Sequence, residues 1–216
     1  MQEFAYRLRI WALTSAQKML ARTGKFEHEG LSLVVSPGVH HPAPAFGIGF
    51  APLQKAALES IREGARVLEL GTGAGFWALN AARRGFDVTA TDLPHVPLES
   101  VAEASAQMGV PLRLLHSDLF EALSGEKYDA ILFNPPFHDA VPQTLEEAAW
   151  CGGDVMRRFL QSASEHLTPN GALYLIIPRV DRERYKDEIK PWSVRVITSR
   201  WYPLLGRTQL LELRSR

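Results

Sequence analysis

The sequence Asn134-Pro135-Pro136-Phe137 combines hydrogen-bond acceptors with an aromatic ring. Two consecutive prolines fix the backbone and remove two N–H donors, which leaves carbonyl groups free to accept. The Asn134 side-chain oxygen and the Pro135 carbonyl can then bind both hydrogens of an NH2 group, and the Phe137 ring offers a face on which a planar group can stack. A proline turn after a buried strand would explain the prolines alone. The complete pattern predicts chemistry on an amide or an exocyclic amine.

A glycine-rich turn forms a second chemical signal, in the stretch R-V-L-E-L-G-T-G-A-G at residues 66–75. An apolar run that leads into glycines and then a helical pattern is typical of a strand-turn-helix unit whose backbone a ligand can approach closely. Gly71, Gly73 and Gly75 give G-x-G-x-G, whereas the dinucleotide pattern G-x-G-x-x-G would require a glycine where Phe76 stands. The turn therefore predicts a bound nucleoside.

Three acidic residues mark the ends of successive predicted strands. Glu69 lies two residues before the first glycine, Asp92 ends the second strand, and Asp118 follows the third. Asp92 stands where nucleotide-binding α/β folds place an acid that accepts hydrogen bonds from ribose hydroxyls, although a strand-end Asp can also simply cap the next turn. Because ligands bind at the carboxyl ends of parallel strands, we expect the three carboxylates to converge on one cleft.

Strand and helix patterns alternate along most of the chain, and T-P-N-G at 168–171 predicts a turn between them. Strands are predicted at the start of 66–75 and at 87–92, 111–120, 128–137, 172–178, 194–200 and 209–214, and helices at 52–63, 76–84, 97–108, 154–166 and 181–190. This order predicts an α/β fold: a doubly wound, Rossmann-like, seven-stranded and mostly parallel sheet within a domain at 51–216.

Residues 1–50 are predicted to form an N-terminal helix and a lid segment. A helix at 3–22 would place apolar side chains on one face that covers the domain, grips substrate or binds a partner or second copy. That face consists of Phe4, Leu8, Trp11, Ser15 and Met19, widened by Tyr6, Ile10, Leu13 and Leu20. A short strand at 31–35 precedes the loop at 36–50, in which three prolines and three glycines are typical of a shaped lid.

Histidines next to these motifs do not form a metal-binding pattern. His40 and His41 are adjacent and lack a third ligand at a usual spacing, which favours a polar loop and no metal. His138 and Asp139 follow the prolines closely enough to act as bases, but a solvated loop is the favoured interpretation.

The composition is that of one globular domain with a balanced charge. The 216 residues are 46% apolar and 22% charged, with a formal net charge of zero, which argues against a protein that coats nucleic acid. The charge is uneven, however, with 12 Lys and Arg against 7 Asp and Glu from Cys151 onward, so this basic third could face RNA. A single cysteine suits a reducing compartment, and no apolar run of about 18 residues predicts a membrane span, so the expected location is the cytoplasm.

Taken together, these motifs resemble those of the class I S-adenosylmethionine-dependent methyltransferases. G-x-G-x-G with Glu69 ahead of it resembles motif I, and N-P-P-F resembles motif IV of the enzymes that methylate adenine N6, guanine N2 or a glutamine amide. The segment at 148–160 is similar to the HemK-type protein glutamine methyltransferases that modify release factors. The family fold also inserts its last strand antiparallel into the sheet.

The resemblance assigns a role to each motif residue. It implies an S-adenosylmethionine site, with Asp92 on the ribose hydroxyls and Asp118 on the adenine amine, and with Asn134, Pro135 and Phe137 as catalytic residues. The implied cofactor-binding residues are Glu69, Gly71, Thr72, Gly73, Gly75, Asp92, Asp118, Leu119 and Asn134.

The resemblance favours a protein substrate, a glutamine in a release-factor-like loop, with an RNA guanine N2 or adenine N6 as the alternative. Phe137 stands where the glutamine enzymes usually have Tyr, and F-H-D after the prolines is nearer to the ribosomal-RNA guanine N2 enzymes. A small-molecule amine is a third choice. The fourth alternative is a non-catalytic subunit that binds a partner through its N-terminal helix. The intact N-P-P sequence argues against this alternative.

Overall fold

A computed structural model describes residues 2–21, 24–28, 30–35, 39 and 49–216 of the chain. A seven-stranded sheet runs in the order β5-β4-β3-β6-β7-β9-β8, and a separate two-stranded sheet contains β1 and β2. The strands are β1 (Lys25–His28), β2 (Leu31–Val34), β3 (Arg66–Leu70), β4 (Asp87–Asp92), β5 (Arg113–His116), β6 (Tyr128–Phe133), β7 (Leu167–Pro178), β8 (Trp192–Tyr202) and β9 (Gly206–Ser215). The helices are α1 (Gln2–Ala21), α2 (Ala51–Ser60), α3 (Phe76–Arg83), α4 (His95–Met108), α5 (Leu145–Ala148), α6 (Val155–Ser162), α7 (Arg179–Arg184) and α8 (Lys186–Ile189).

The sheet confirms the predicted doubly wound, mostly parallel architecture. Strands β3 to β7 pair in parallel, and β9 inserts antiparallel between β7 and β8. The central strands β3 and β6 are buried along almost their whole length because the sheet is covered on both faces. The short strand β1, whose sequence K-F-E-H carries only one strongly apolar residue, was not predicted.

The predicted turn at 168–171 is wrong, because these residues lie inside β7. Between the pairs Tyr128–Leu167 and Ala130–Ala172 the register shifts, so β7 accommodates the polar stretch as an irregularity of the ladder. A Cβ on Gly171 would lie 2.9 Å from the Tyr128 carbonyl oxygen, which explains a glycine at this close approach.

Helix α1 packs on the core through residues at the margin of the predicted apolar face, and three residues from the centre of that face are exposed. Ile10 and Leu13 are buried in the main core, whereas Leu8, Trp11 and Met19 are 54%, 66% and 57% exposed. The predicted apolar face is wide, and packing against the core buries one margin of it. A partner or self-association surface on α1 stays a prediction.

The lid loop lies mostly outside the described residues, and so do His40 and His41. Within the described parts of the chain, no helix has the length and apolar character of a membrane span. The same residues contain no group of three or more His, Cys, Asp or Glu side chains that could hold a metal ion.

Candidate active site

The glycine turn connects β3 to α3 at the carboxyl edge of the sheet. All three of its glycines have positive φ, and the Thr72 amide donates to the Thr91 carbonyl of β4 at 2.9 Å. At Gly75, where φ is +76°, an added Cβ would lie 2.5 Å from a Val101 methyl group of α4. Only glycine therefore satisfies both the backbone conformation and the packing at this position.

Glu69 supports this turn from within the sheet. Its Oε2 accepts hydrogen bonds from the Thr72 hydroxyl at 2.7 Å and from the Ala78 amide at 2.9 Å. Burial raises the pKa of Glu69 from 4.5 to about 8, although both hydrogen bonds act in the opposite direction. Glu69 is 4% exposed, and its carboxyl group links β3, the glycine turn and α3. Direct cofactor contacts by Glu69 and Thr72 stay predictions.

The raised pKa of Glu69 predicts that the free energy of unfolding falls with rising pH. Between pH 4.5 and about 8 the folded state keeps a proton that the unfolded state has lost. The free energy of unfolding therefore falls by up to about 1.4 kcal/mol for each pH unit. Glu69→Gln should remove this fall, because an amide mimics the protonated acid. Urea unfolding at pH 5 and pH 7.5 measures the effect, with the exposed Glu99→Gln as control. An equal pH dependence in wild type and Glu69→Gln would contradict the assignment.

Asp92 ends β4 beside the glycine turn. Its Oδ2 accepts from the Gly73 amide at 2.7 Å and its Oδ1 from the Leu93 amide at 2.9 Å. Burial raises the pKa of Asp92 above its usual value, although these two hydrogen bonds act in the opposite direction. A carboxylate has about four acceptor positions, so two remain for other donors such as ribose hydroxyls.

Asp118 lies in a tightly constrained loop after β5. Its carboxylate accepts two hydrogen bonds from the Arg158 guanidinium of α6, at 3.0 and 3.2 Å. Leu119 has a φ of +48°, which costs a non-glycine residue about 1 kcal/mol or more, and the Ser117 hydroxyl holds the turn by donating to the Leu119 carbonyl at 2.9 Å. Strain of this kind concentrates at ligand sites. The adenine contact of Asp118 stays a prediction, and the Arg158 pairing was not predicted.

Asn134 follows β6 directly and lies next to the glycine turn. Leu70 of β3 pairs with Phe133 of β6, so Gly71 and Asn134 leave adjacent strands at the same edge. The Asn134 Oδ1 is buried and accepts no hydrogen bond from any residue that the structure describes. A buried acceptor without a donor is costly, which indicates a position prepared for a ligand N–H group.

Phe137 does not present the open ring face predicted for it. The residue is 1% exposed, and its ring packs edge-to-face on Phe50 with a centroid distance of 5.9 Å. Phe50 packs in turn on Tyr202 at the end of β8, with a centroid distance of 5.3 Å. Stacking of a substrate on Phe137 therefore requires a rearrangement of this aromatic cluster.

The prediction of a solvated loop at His138 is wrong. The imidazole is 1% exposed, and its Nδ1 lies 3.6 Å from Oδ1 of the buried Asp181. Asp181 also forms an ion pair with Arg9 of α1 at 3.3 Å. Burial, together with the cationic charges of Arg9 and Arg184, lowers the pKa of His138 from 6.5 to about 3, so the imidazole is neutral. It is a structural link between the motif and α7.

Helix α7 and the residue after it hold the segment that follows the two prolines. The Tyr185 hydroxyl donates to the Phe137 carbonyl at 3.2 Å, and Arg184 pairs with Asp139 at 3.1 Å. Sequence patterns did not identify these positioning residues, because Tyr185 and Arg184 lie in an ordinary polar helix pattern almost 50 positions from the motif.

Tyr185→Phe should lower turnover while Tyr174→Phe should not. Tyr185 donates its hydroxyl hydrogen to the Phe137 carbonyl and Tyr174 donates to the Ser60 carbonyl, each at 3.2 Å. Loss of either hydroxyl should therefore lower the free energy of unfolding by about 1 kcal/mol. Only the first loosens the N-P-P-F segment, for which we expect a several-fold loss of turnover. Denaturant unfolding and steady-state kinetics of both variants check this. Equal turnover in the two variants would remove Tyr185 from the positioning role.

Known proteins resemble this chain in sequence. The family model described as the methyltransferase small domain matches residues 52–190. The chain is 32% identical over 114 residues to the ribosomal RNA small subunit methyltransferase C of Alcanivorax borkumensis, covering 53% of this chain and 32% of that protein. It is 32% identical over 173 residues to the release factor glutamine methyltransferase of Salmonella typhimurium, covering 71% of this chain and 60% of that protein.

A solved structure shares the fold. The 16S rRNA N2 G1207 methyltransferase of T. thermophilus, in complex with AdoMet and guanosine, superposes with a TM-score of 0.62 and 24% identity, over 89% of this chain and 50% of that one. The chain thus spans between about a third and three fifths of the length of the curated relatives above. Because the family model matches well over half of its residues, this chain belongs to the methyltransferase small domain family.

Proposed function

We propose that the protein transfers a methyl group from S-adenosylmethionine to a planar nitrogen held by Asn134 and Pro135. The residues present fit this cofactor: the glycine turn admits close approach, Asp92 has acceptor positions left for two hydroxyls, and the strained Asp118 loop lies at the same edge. When bound, the cofactor supplies an electrophilic methyl group on a sulfonium centre. Every other part of the reaction then depends on how the chain positions the nitrogen.

The observation that carries this proposal is the buried Asn134 Oδ1 that lacks a donor among the described residues. An NH2 group that donates one hydrogen to this oxygen and the other to the Pro135 carbonyl would satisfy both acceptors. Its nitrogen lone pair would then point out of the plane of the two hydrogen bonds, toward the adjacent glycine turn. Positioning of this kind favours in-line attack without a strong base, since the proton can leave after transfer.

We place an exocyclic amine of an RNA base first among the acceptors. The aromatic cluster of Phe137, Phe50 and Tyr202 connects the N-P-P-F segment to the tip of the β8–β9 hairpin. At that tip Trp201 is 71% exposed and pairs with the exposed Arg207 of β9. An exposed indole beside a guanidinium group matches bases and phosphates better than it matches a neutral glutamine loop.

A protein glutamine is the second candidate, and it was the acceptor that the sequence favoured. Its support is the relatedness to the release factor glutamine methyltransferase, which extends over 71% of this chain. A glutamine side-chain amide would use the same two acceptors, because it presents the same planar NH2 group.

Transfer of a labelled methyl group from S-adenosylmethionine tests the proposal directly. We expect incorporation into ribosomal and transfer RNA and not into glutamine-containing peptides or the protein fraction. Nuclease digestion of the product identifies the modified base. Label in the protein fraction alone would replace RNA with glutamine, and binding of the cofactor with no label in either fraction would exclude both of these acceptors.

A further inference from the structure

We propose that a basic groove between the α7–α8 segment and strands β8 and β9 binds a single strand of the RNA substrate and leads it to the candidate site. The inference rests on the proposed RNA acceptor and adds the surface that would bind it. The groove has a volume of about 500 Å³ and lies between the segment that contains α7 and α8 and the last two strands. It is lined by Arg179, Arg182, Glu183, Lys186, Ile189, Lys190, Trp192, Val194, Gln209 and Arg216.

The charge of the groove is strongly one-sided. Five of the lining side chains are cationic and one, Glu183, is acidic. Among the described residues, Arg179, Lys186 and Lys190 form no ion pair, and Arg182 donates to the neutral Gln209 side chain at 3.2 Å. Cations that are not neutralised within the protein attract polyanions, and the number of phosphates bound sets the salt dependence of that attraction.

The strand register extends this groove to Trp201. Trp201 pairs with Arg207, and Arg207 lies two residues before the groove residue Gln209 in β9. Because side chains alternate along a strand and paired residues share a face, Trp201, Arg207 and Gln209 lie on the same face of the sheet. The exposed indole therefore continues the floor formed by Val194 and Gln209.

The groove also opens at the edge that carries the candidate site. Pro178 ends β7, a strand parallel to β6, and pairs with Thr208 of β9, so the hairpin tip and the start of α7 lie at the carboxyl edge. Arg179 is the next residue, at this end of the groove. On its other side, α7 contacts the segment after the two prolines through Asp181 and Arg184. A strand bound along the groove would thus arrive beside Asn134.

An RNA strand fits these features better than an acidic peptide does. Phosphates recur along the strand and can meet several cations in turn, while the bases between them can stack on an indole. An acidic peptide would use the cations alone and would gain nothing specific from an exposed tryptophan. The combination of cations with a terminal aromatic ring therefore selects single-stranded nucleic acid.

Fluorescence anisotropy of a labelled single-stranded RNA oligonucleotide with the full chain tests this surface. Trp201→Ala should weaken binding roughly 5- to 100-fold through lost stacking, and Trp11→Ala, which removes a 66% exposed indole from α1, is the matched control. Arg179→Glu should weaken binding about tenfold or more at low salt and flatten the salt dependence, whereas the exposed Arg84→Glu at the end of α3 should change binding less than twofold. Circular dichroism verifies that each variant folds.

The outcomes separate this inference from the proposed function. If Trp201→Ala and Arg179→Glu bind RNA like their controls, the groove is overturned, even if wild-type protein methylates RNA. If groove variants lose RNA binding but label from the cofactor enters only protein, the groove stands and the RNA acceptor fails. An unlabelled poly-glutamate competitor that displaces RNA as well as unlabelled RNA does would also contradict recognition of nucleic acid.

Discussion

Asn134→Ala is expected to reduce turnover on the methyl acceptor about 100-fold or more while cofactor affinity stays nearly normal. The substitution removes the buried Oδ1 acceptor that orients the nucleophilic nitrogen, and loss of one preorganised hydrogen-bonding group at a reacting centre costs on this order. In the proposed site the ends of β3, β4 and β5 would hold most of the cofactor, and the substitution leaves them intact. Calorimetry with S-adenosylmethionine and steady-state kinetics separate the two effects.

Asn80→Ala provides the matched control for this experiment. Its amide donates to the Phe76 carbonyl within α3 at 2.9 Å, so the substitution deletes the same side chain without touching N-P-P-F. We expect near-normal turnover for this variant. Wild-type turnover in Asn134→Ala would contradict the acceptor-pair mechanism and leave N-P-P-F as a structural turn.

Asp92→Ala should weaken S-adenosylmethionine binding by about 1 to 3 kcal/mol, or roughly 5- to 150-fold. The change leaves the ribose hydroxyls without acceptors and also frees the Gly73 amide that Asp92 holds at 2.7 Å, so the turn loses its preorganisation. Titration calorimetry with the cofactor and with its demethylated product measures the loss. NAD should not bind to the wild-type protein.

Asp129→Ala is the control for Asp92. Asp129 also accepts a hydrogen bond from a backbone amide, that of Arg66 at 3.0 Å, but Arg66 begins β3 and the contact lies at the opposite edge of the sheet. This variant should lose stability and keep its cofactor affinity. Equal losses of affinity in both variants would point to a global effect, and an unchanged affinity in Asp92→Ala would move the ribose site elsewhere.

The sequence by itself determined the features that depend on short-range patterns. Apolar runs and glycine spacing predicted the parallel strands and the turn at Gly71, Gly73 and Gly75, because backbone conformation and burial restrict which residues can occupy those positions. The order of the strands along the chain also predicted that Glu69, Asp92 and Asp118 would lie at one edge of the sheet. That follows from the topology of parallel sheets and requires no knowledge of side-chain packing.

Only the tertiary structure decided how distant side chains complete the site. Several contacts join residues that are between 40 and 172 positions apart in the sequence. Asp181 lies beside His138 and pairs with Arg9. Arg158 pairs with Asp118, and Phe50 packs on Phe137. Such contacts leave no periodic signal, because a residue in an ordinary polar helix looks the same in the sequence whether it faces solvent or a buried carboxylate. The packing of α1 has the same origin: its predicted apolar face is wide, and packing against the folded core decides that Ile10 and Leu13 are buried while Trp11 is exposed.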